Sequence, residues 1–194
     1  MRNIGIDLDG VFYDFLTPFL KLVNGDLGTI YDINDITKWS LSKSGLITHK
    51  QGREFLKKFT EEGQIKKMKP LPGAAASLRV LSQFYKIYFI TSRWPDAQIQ
   101  TIESLDRDLG SKFYEHPVIF CSRDYSKGQA VKELNAKYFV DDKPTNIEQV
   151  KKHVPECECI YLNTNELPSS ESPNVSHYYV NDNYWNNLYK KINP

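Results

Sequence analysis

Asp7 and Asp9 stand two residues apart, directly after Ile4–Gly5–Ile6 and just before Gly10. In an extended chain residues i and i+2 face the same way, so both carboxylates can be aimed at one pocket. Further along come Thr91–Ser92–Arg93, Ser126–Lys127–Gly128 and Asp141–Asp142, each following a short apolar run. These residue types complement one another. Clustered carboxylates suit a hard divalent cation such as Mg2+. A hydroxyl pair and a lysine can hold the oxygens of a phosphate, and a metal between the two offsets the repulsion of acid for phosphate. Asp-x-Asp alone is a weak signal, and so is Asp141–Asp142. The plain alternative for each cluster is a solvated turn or a helix cap. Four such clusters in this order are poorly explained by chance.

The elements that must position them are legible as alternating patterns. Ile4–Gly5–Ile6–Asp7–Leu8 alternates like a strand and stops at the turn signal Asp9–Gly10. Residues 86–91, 118–121, 138–140 and 159–162 are short aromatic and β-branched runs that read as buried strands. Helical spacing lies between them over 73–84, 96–109, 126–135 and 145–153. Ala76, Leu78, Val80, Leu81 and Phe84 would share the inner side of the first of these. Ile99, Ile102, Leu105 and Leu109 would do so in the second. Strand and helix thus alternate from residue 73 onward, which predicts crossover units and a mainly parallel sheet. Residues 15–72 break the rhythm. They hold helix-like stretches at 15–23 and 50–62 but no convincing strand, and Pro70–Leu71–Pro72–Gly73 punctuates their end. A small helical insertion after the first strand is the economical reading. Near the end, 166–172 reads as a polar loop, and Trp185, Leu188, Tyr189 and Ile192 have helical spacing.

Composition narrows the function classes. The 194 residues carry a net charge of +1, which argues against a global field for a nucleic acid polymer or an anionic membrane. No apolar run approaches the length of a bilayer span, and the first residues lack a signal-peptide core, so the expected location is cytoplasmic. The three cysteines form no disulfide framework, and Cys157-x-Cys159 is too closely spaced for the usual metal knuckle.

The residues Ile4–Gly5–Ile6–Asp7–Leu8–Asp9–Gly10–Val11, Phe89–Ile90–Thr91–Ser92, Lys127 and Phe139–Val140–Asp141–Asp142 resemble the four motifs of the haloacid-dehalogenase-like phosphohydrolases. Within that superfamily, Asp9–Gly10–Val11-x-x-Asp14–Phe15, the insertion and Pro70-x-Pro72–Gly73–Ala74 are similar to the 5′(3′)-deoxyribonucleotidases and their bacterial and phage relatives. The resemblance implies a three-layer, Rossmann-like α/β core from 1–14 and 73–194, with residues 15–72 as a helical cap. It implies Asp7 as nucleophile forming an aspartyl-phosphate and Asp9 as general acid and then base. Crowding of the two carboxylates beside a phosphate would keep one protonated, which suits Asp9. By the same resemblance Mg2+ takes Asp7, the Asp9 backbone carbonyl and Asp142, with Asp141 behind them. Thr91, Ser92 and Lys127 would bind phosphate, with Arg93 and Arg123 as further contacts. Ser126 and Gly128 suit a helix start favourable to an anion. Phe15 would stack on a base, with Trp39 and Phe12 as weaker candidates.

The implied activity is Mg2+-dependent hydrolysis of a small phosphomonoester, a nucleoside monophosphate by the nearer resemblance. A homodimer is an expectation of that resemblance alone. Three rivals stand beside it. A sugar-phosphate or other metabolite phosphatase would use the same machinery. A phospho-receiver or binding module also combines acids, a hydroxyl residue and a lysine, but its acidic residues come from different strands. A glycosyltransferase could use Asp-x-Asp for a metal–nucleotide sugar, but Thr91 and Lys127 argue against it. The four scattered histidines, the paired lysines and the aromatic tail read as surface or core residues.

Overall fold

The computed structural model describes residues 1–38, 40–110, 116–162, 176–178 and 184–192. Its centre is a sheet of six strands, β1 (Arg2–Ile6), β2 (Tyr85–Thr91), β3 (Val118–Phe120), β4 (Ala136–Asp141), β5 (Glu158–Leu162) and β6 (Ser176–Tyr178). They lie in the order β3-β2-β1-β4-β5-β6, and every neighbouring pair is parallel. The helices are α1 (Leu16–Leu27), α2 (His49–Glu61), α3 (Ala74–Leu81), α4 (Gln98–Leu109), α5 (Lys127–Glu133), α6 (Pro144–His153) and α7 (Tyr184–Ile192). Among the described residues no helix is long and apolar enough to cross a membrane.

The sheet is covered on both faces, which is why its strands are apolar runs rather than alternating ones. Ile90, Phe139 and Tyr161 pack with Val131 of α5 and Ile147 and Val150 of α6. Ile4, Ile6, Phe89, Val140 and Leu162 pack on the other face with Leu78 of α3, Leu105 of α4 and Trp185 and Leu188 of α7. This is the expected three-layer α/β architecture. The order of strands reverses at β1, the switch point where an open parallel sheet leaves a crevice at its carboxyl edge. Register then fixes the site. Ile6 pairs with Phe89 and with Val140, so the chain leaving β1 at Asp7 emerges between the end of β2 and the end of β4.

Between β1 and β2 the described residues form helices, short 3-10 turns and loops, with no strand of the sheet. Phe19 of α1 and Phe55 and Phe59 of α2 are buried together with Ile36, Leu41 and Ile47 from the intervening loops. The Thr48 hydroxyl and the Gln51 side chain cap α2 reciprocally. The chain returning to the core is tied to α4. Gln100 Nε2 donates to the Thr60 carbonyl at 2.8 Å, Ser104 Oγ to Ile65 at 3.3 Å, and Arg107 Nη2 to Met68 at 2.9 Å.

Several expected burials fail. Val80 and Phe84 near α3, and Ile99 and Ile102 on α4, are exposed, Ile99 at 72%. The inner face of α3 is instead Ala74, Ser77, Leu78 and Leu81, and that of α4 is Thr101, Ser104, Leu105 and Leu109. Strand β6 had no signal in the sequence reading, and the polar loop expected at 166–172 lies outside the described residues.

Candidate active site

The turn after β1 is built to present two aspartates. The Asp7 N–H still donates to the Val140 carbonyl at 2.9 Å, and the Leu8 N–H turns back onto Asp7 Oδ1 at 2.7 Å. The Leu8 carbonyl then accepts N–H bonds from Phe12 and Tyr13, at 2.9 and 2.8 Å, closing a tight loop that carries Asp9. Gly10 sits in this loop with φ at +77°, and a Cβ there would collide with the Asp142 carboxylate. Only glycine adopts that backbone cheaply and lets the loop pass so close to the residue after β4.

Lys127, the first residue of α5, is buried between two carboxylates. Its Nζ lies 2.7 Å from Asp7 Oδ2 and 2.8 Å from Asp141 Oδ2. Burial works against its charge, but Asp141 and Asp7 outweigh burial and hold the ammonium above the ordinary lysine range. Asp141 is fully engaged: besides Lys127 it accepts the Lys143 N–H at 2.9 Å and the Asn146 Nδ2 at 3.0 and 3.1 Å. Asp142 accepts no hydrogen bond from the described residues. Burial first, then the neighbouring Asp141 and Asp7 charges, push its carboxyl well up. Burial likewise pushes Asp7 up to about 7, against the pull of Lys127.

Asp7, Asp141 and Asp142 each offer a carboxylate oxygen within 4.8 Å of the others. Two buried carboxylates and the half-buried Asp142 gather around one ammonium, an excess of acid groups that a divalent cation would offset. Because Asp141 spends its oxygens on three protein donors, Asp7 and Asp142 are the groups left to hold an ion. An all-oxygen set of this kind fits a hard cation.

Thr91 ends β2 and is buried, its Oγ1 accepting the Arg93 N–H at 3.2 Å. Ser92 is exposed and lines the cavity described below. Arg93, expected among the phosphate contacts, lines the same cavity, and its guanidinium forks onto Asp9, at 2.9 and 2.6 Å. The Asp9 carboxylate is thus paired with a buried cation. Arg123 is exposed and does not line the cavity. Ser126 caps α5 by accepting the Gln129 N–H, so this helix start is already committed. Gly128 serves packing, since a Cβ there would lie 2.8 Å from His153 Nδ1 and 3.0 Å from the Gln149 carbonyl on α6.

A cavity of about 460 Å³ opens above these groups. Asp7, Asp9, Thr91, Lys127 and Asp142 form one end, and Phe15, Phe19, Leu41, Ile47 and Phe59 form an apolar wall from the segment between β1 and β2. Phe15 is half-buried, stacked on Phe19 at 4.9 Å between ring centroids and set edgewise to Phe59 at 5.5 Å. Phe12 is instead fully buried against Tyr13 and Phe89 and takes no part in the cavity. Trp39 lies outside the described residues. Sequence reasoning missed Asn146 and Thr101. Pro144 at the start of α6 marks Asn146 as a first-turn residue able to reach back to the strand end. Nothing local marks Thr101, whose partner Arg93 is eight residues away.

Among solved structures the chain resembles a conserved haloacid dehalogenase-like protein of unknown function from Agrobacterium tumefaciens, at 10% identity over 99% of this chain and 98% of that one, TM-score 0.65. It also resembles a HAD family hydrolase from Deinococcus radiodurans with bound phosphate and sodium, at 14% identity over 89% and 85%, TM-score 0.58. A third is YfnB from Bacillus subtilis, a candidate HAD-hydrolase bound to magnesium, at 17% identity over 100% and 99%, TM-score 0.60. At such identities the likeness is one of fold. No curated protein matches the sequence. The model of one family, described as 5′ nucleotidase, deoxy (pyrimidine), cytosolic type C protein, matches residues 1–166. That match takes in β1 to β5 and every strand-end cluster above, and the chain accordingly belongs to this family of haloacid-dehalogenase-type phosphatases.

Proposed function

We propose that this phosphatase is a Mg2+-dependent nucleotidase that removes phosphate from (deoxy)nucleoside monophosphates. The observation that carries the reading is the continuity of one cavity from the Asp7–Lys127–Asp142 end to a wall of aromatic and aliphatic side chains. Its volume, about 460 Å³, suits a drug-sized ligand with a flat ring better than a bare phosphate. The family's description names a 5′ nucleotidase, deoxy (pyrimidine), and the phosphate and magnesium in the two bacterial structures support the same class of chemistry.

In this reading Asp7 attacks phosphorus, the bond from phosphorus to the sugar oxygen breaks, and Asp9 gives that oxygen a proton. A water then attacks the phosphoryl group on Asp7 and passes a proton to Asp9, and the bond from phosphorus to the Asp7 oxygen breaks. Lys127 steadies the Asp7 carboxylate from below, and Thr91, with Ser92 beside it, donates to the phosphate oxygens. Asp7, Asp142 and the Asp9 carbonyl would hold the cation, with Asp141 fixing Lys127 behind them. When bound, Mg2+ supplies charge neutralisation between these acids and the phosphate. Residues 15–72 act as the cap that excludes water, with Phe15 as the stacking partner of the base.

The test is release of inorganic phosphate from deoxy- and ribonucleotides, sugar phosphates and an aryl phosphate, with and without Mg2+. Nucleoside monophosphates are expected to give the highest kcat/KM, only with the metal, and Asp7→Asn to lose about three orders of magnitude or more. Phe15→Ala should raise KM for nucleotides more than for the aryl phosphate. A preference for sugar phosphates, or equal effects of Phe15→Ala on both substrates, overturns the nucleotide assignment.

A further inference from the structure

The fork between Arg93 and Asp9 assigns a role that the charge of the arginine alone would not suggest. Resting on the acid–base reading of Asp9, we infer that Arg93 is a positioning residue that aims the Asp9 carboxylate, and not a ligand of the substrate phosphate. Arg93 Nε donates to Asp9 Oδ2 at 2.9 Å and Nη2 to Oδ1 at 2.6 Å. Nη1 donates to Thr101 Oγ1 at 3.0 Å, and that hydroxyl donates to the Ala97 carbonyl at 2.7 Å. The Tyr13 ring lies 5.4 Å from the guanidinium carbon. The Arg93 side chain is 5% exposed and that of Asp9 28% exposed. Both residues line the cavity, but the arginine is the more buried and is anchored from α4, so it is the fixed partner and the more exposed aspartate is the group that it aims.

A guanidinium offers its donors in one plane, so a two-point fork fixes the plane of the carboxylate as well as its position. Among the described residues Asp9 has no other side-chain hydrogen bond, and the Gly10 turn by itself would leave its rotamer open. The fork takes one lone pair from each Asp9 oxygen, and a second on each remains for the proton exchanged with the leaving oxygen or the water. Proton transfer depends on that aim, and a displacement of about 1 Å in such a group costs on the order of 100-fold in rate. A lysine, a point charge on a flexible stem, cannot impose the plane.

The experiment compares the wild-type chain with Arg93→Lys, Arg93→Met, Thr101→Val and Asp9→Asn in the presence of Mg2+. The substrates are a deoxynucleoside monophosphate, whose alkoxide leaving group needs the proton, and p-nitrophenyl phosphate, whose leaving group does not. Both Arg93 variants should lose about 100-fold in kcat on the nucleotide. Inhibition by inorganic phosphate should stay within about threefold of wild type, because the phosphate contacts are untouched. With p-nitrophenyl phosphate they should show a burst of nitrophenolate followed by slow turnover, since the step that needs a base is still impaired. Thr101→Val, which keeps the shape of the side chain and removes the anchor, should move kcat in the same direction by about three- to tenfold. It carries the test if an Arg93 variant fails to fold. Loss of phosphate inhibition with kcat retained would make Arg93 a phosphate ligand and overturn the inference, as would unaltered kcat in all the Arg93 and Thr101 variants. Wild-type turnover by Asp9→Asn would remove the acid–base reading itself. An impaired Asp9→Asn with unaltered Arg93 variants would remove the positioning role alone.

Discussion

Lys127 pairs with Asp7 and Asp141, and Asp142 offers a carboxylate oxygen within reach of both, so acid groups crowd around one buried ammonium. Burial raises Asp7 from the ordinary 3.8 to about 7, so the folded chain keeps a proton there that the unfolded chain has already released. The folded state then binds more protons between those values, and the metal-free protein is expected to lose stability as pH rises from about 4 to about 7. A cation must displace the same proton, so its affinity should climb over the same interval and level off above it. Calorimetric titration with Mg2+ between about pH 5 and about pH 8 should show tightening of up to about tenfold per pH unit on the acid side, with proton release. A flat affinity across that range would mean that Asp7 is not a ligand. The site was legible in sequence because Asp7, Thr91, Lys127 and Asp142 follow strands whose register brings their ends together. What escaped was pairing among them: no spacing says that Arg93 will turn onto Asp9, because that choice is made by Thr101 and Tyr13 from other elements.

At the scale of elements, α4 does two jobs that explain its misleading pattern. Its spacing places Ile99 and Ile102 with the apolar residues, yet its inner face is turned so that Thr101 meets Arg93 and Ser104 meets the Ile65 carbonyl. Polar groups on that face satisfy backbone carbonyls of the chain returning from residues 15–72, which have no sheet ladder to join. The strands had no such competing demand, and their apolar runs placed β1 to β5 within a residue or two. β6, only three residues long, carries too little pattern to stand out. If α4 is the tether of the segment above the cavity, Arg107→Ala should loosen it locally. The Lys66 and Met68 carbonyls would lose their guanidinium donor while Gln100 and Ser104 still hold Thr60 and Ile65. Amide exchange at residues 60–68 should accelerate, with a global loss of only about 1 kcal/mol or less, because the side chain is half exposed. Unchanged exchange there would show that packing of Phe55, Phe59 and Ile65 alone holds the segment.

For the molecule as a whole, the core is closed by a helix that lies beyond the residues matching the family. The match ends at 166, and α7 follows at Tyr184–Ile192. Trp185, Leu188 and Ile192 are buried on the face of the sheet that carries α3, and the Tyr85 hydroxyl of β2 donates to the Ile192 carbonyl. Trp185 Cβ would lie 3.5 Å from a Cβ built at Gly73, so the helix seats on the turn where the chain re-enters the core. None of these side chains lines the cavity. Stability and catalysis are therefore separable here. Trp185→Ala should cost about 3–5 kcal/mol, a cavity-forming loss on the scale of a domain's whole stability margin. Urea unfolding would show it as a lower midpoint at nearly constant slope. Below the melting range, KM and kcat for a phosphomonoester should stay within about twofold of wild type, as for a core site with no contact to the reacting groups. Loss of activity without loss of stability would place α7 in the catalytic apparatus. Loss of both in proportion to the folded fraction would leave it as the element that completes the third layer, with the turnover per folded molecule set at the opposite edge of the sheet.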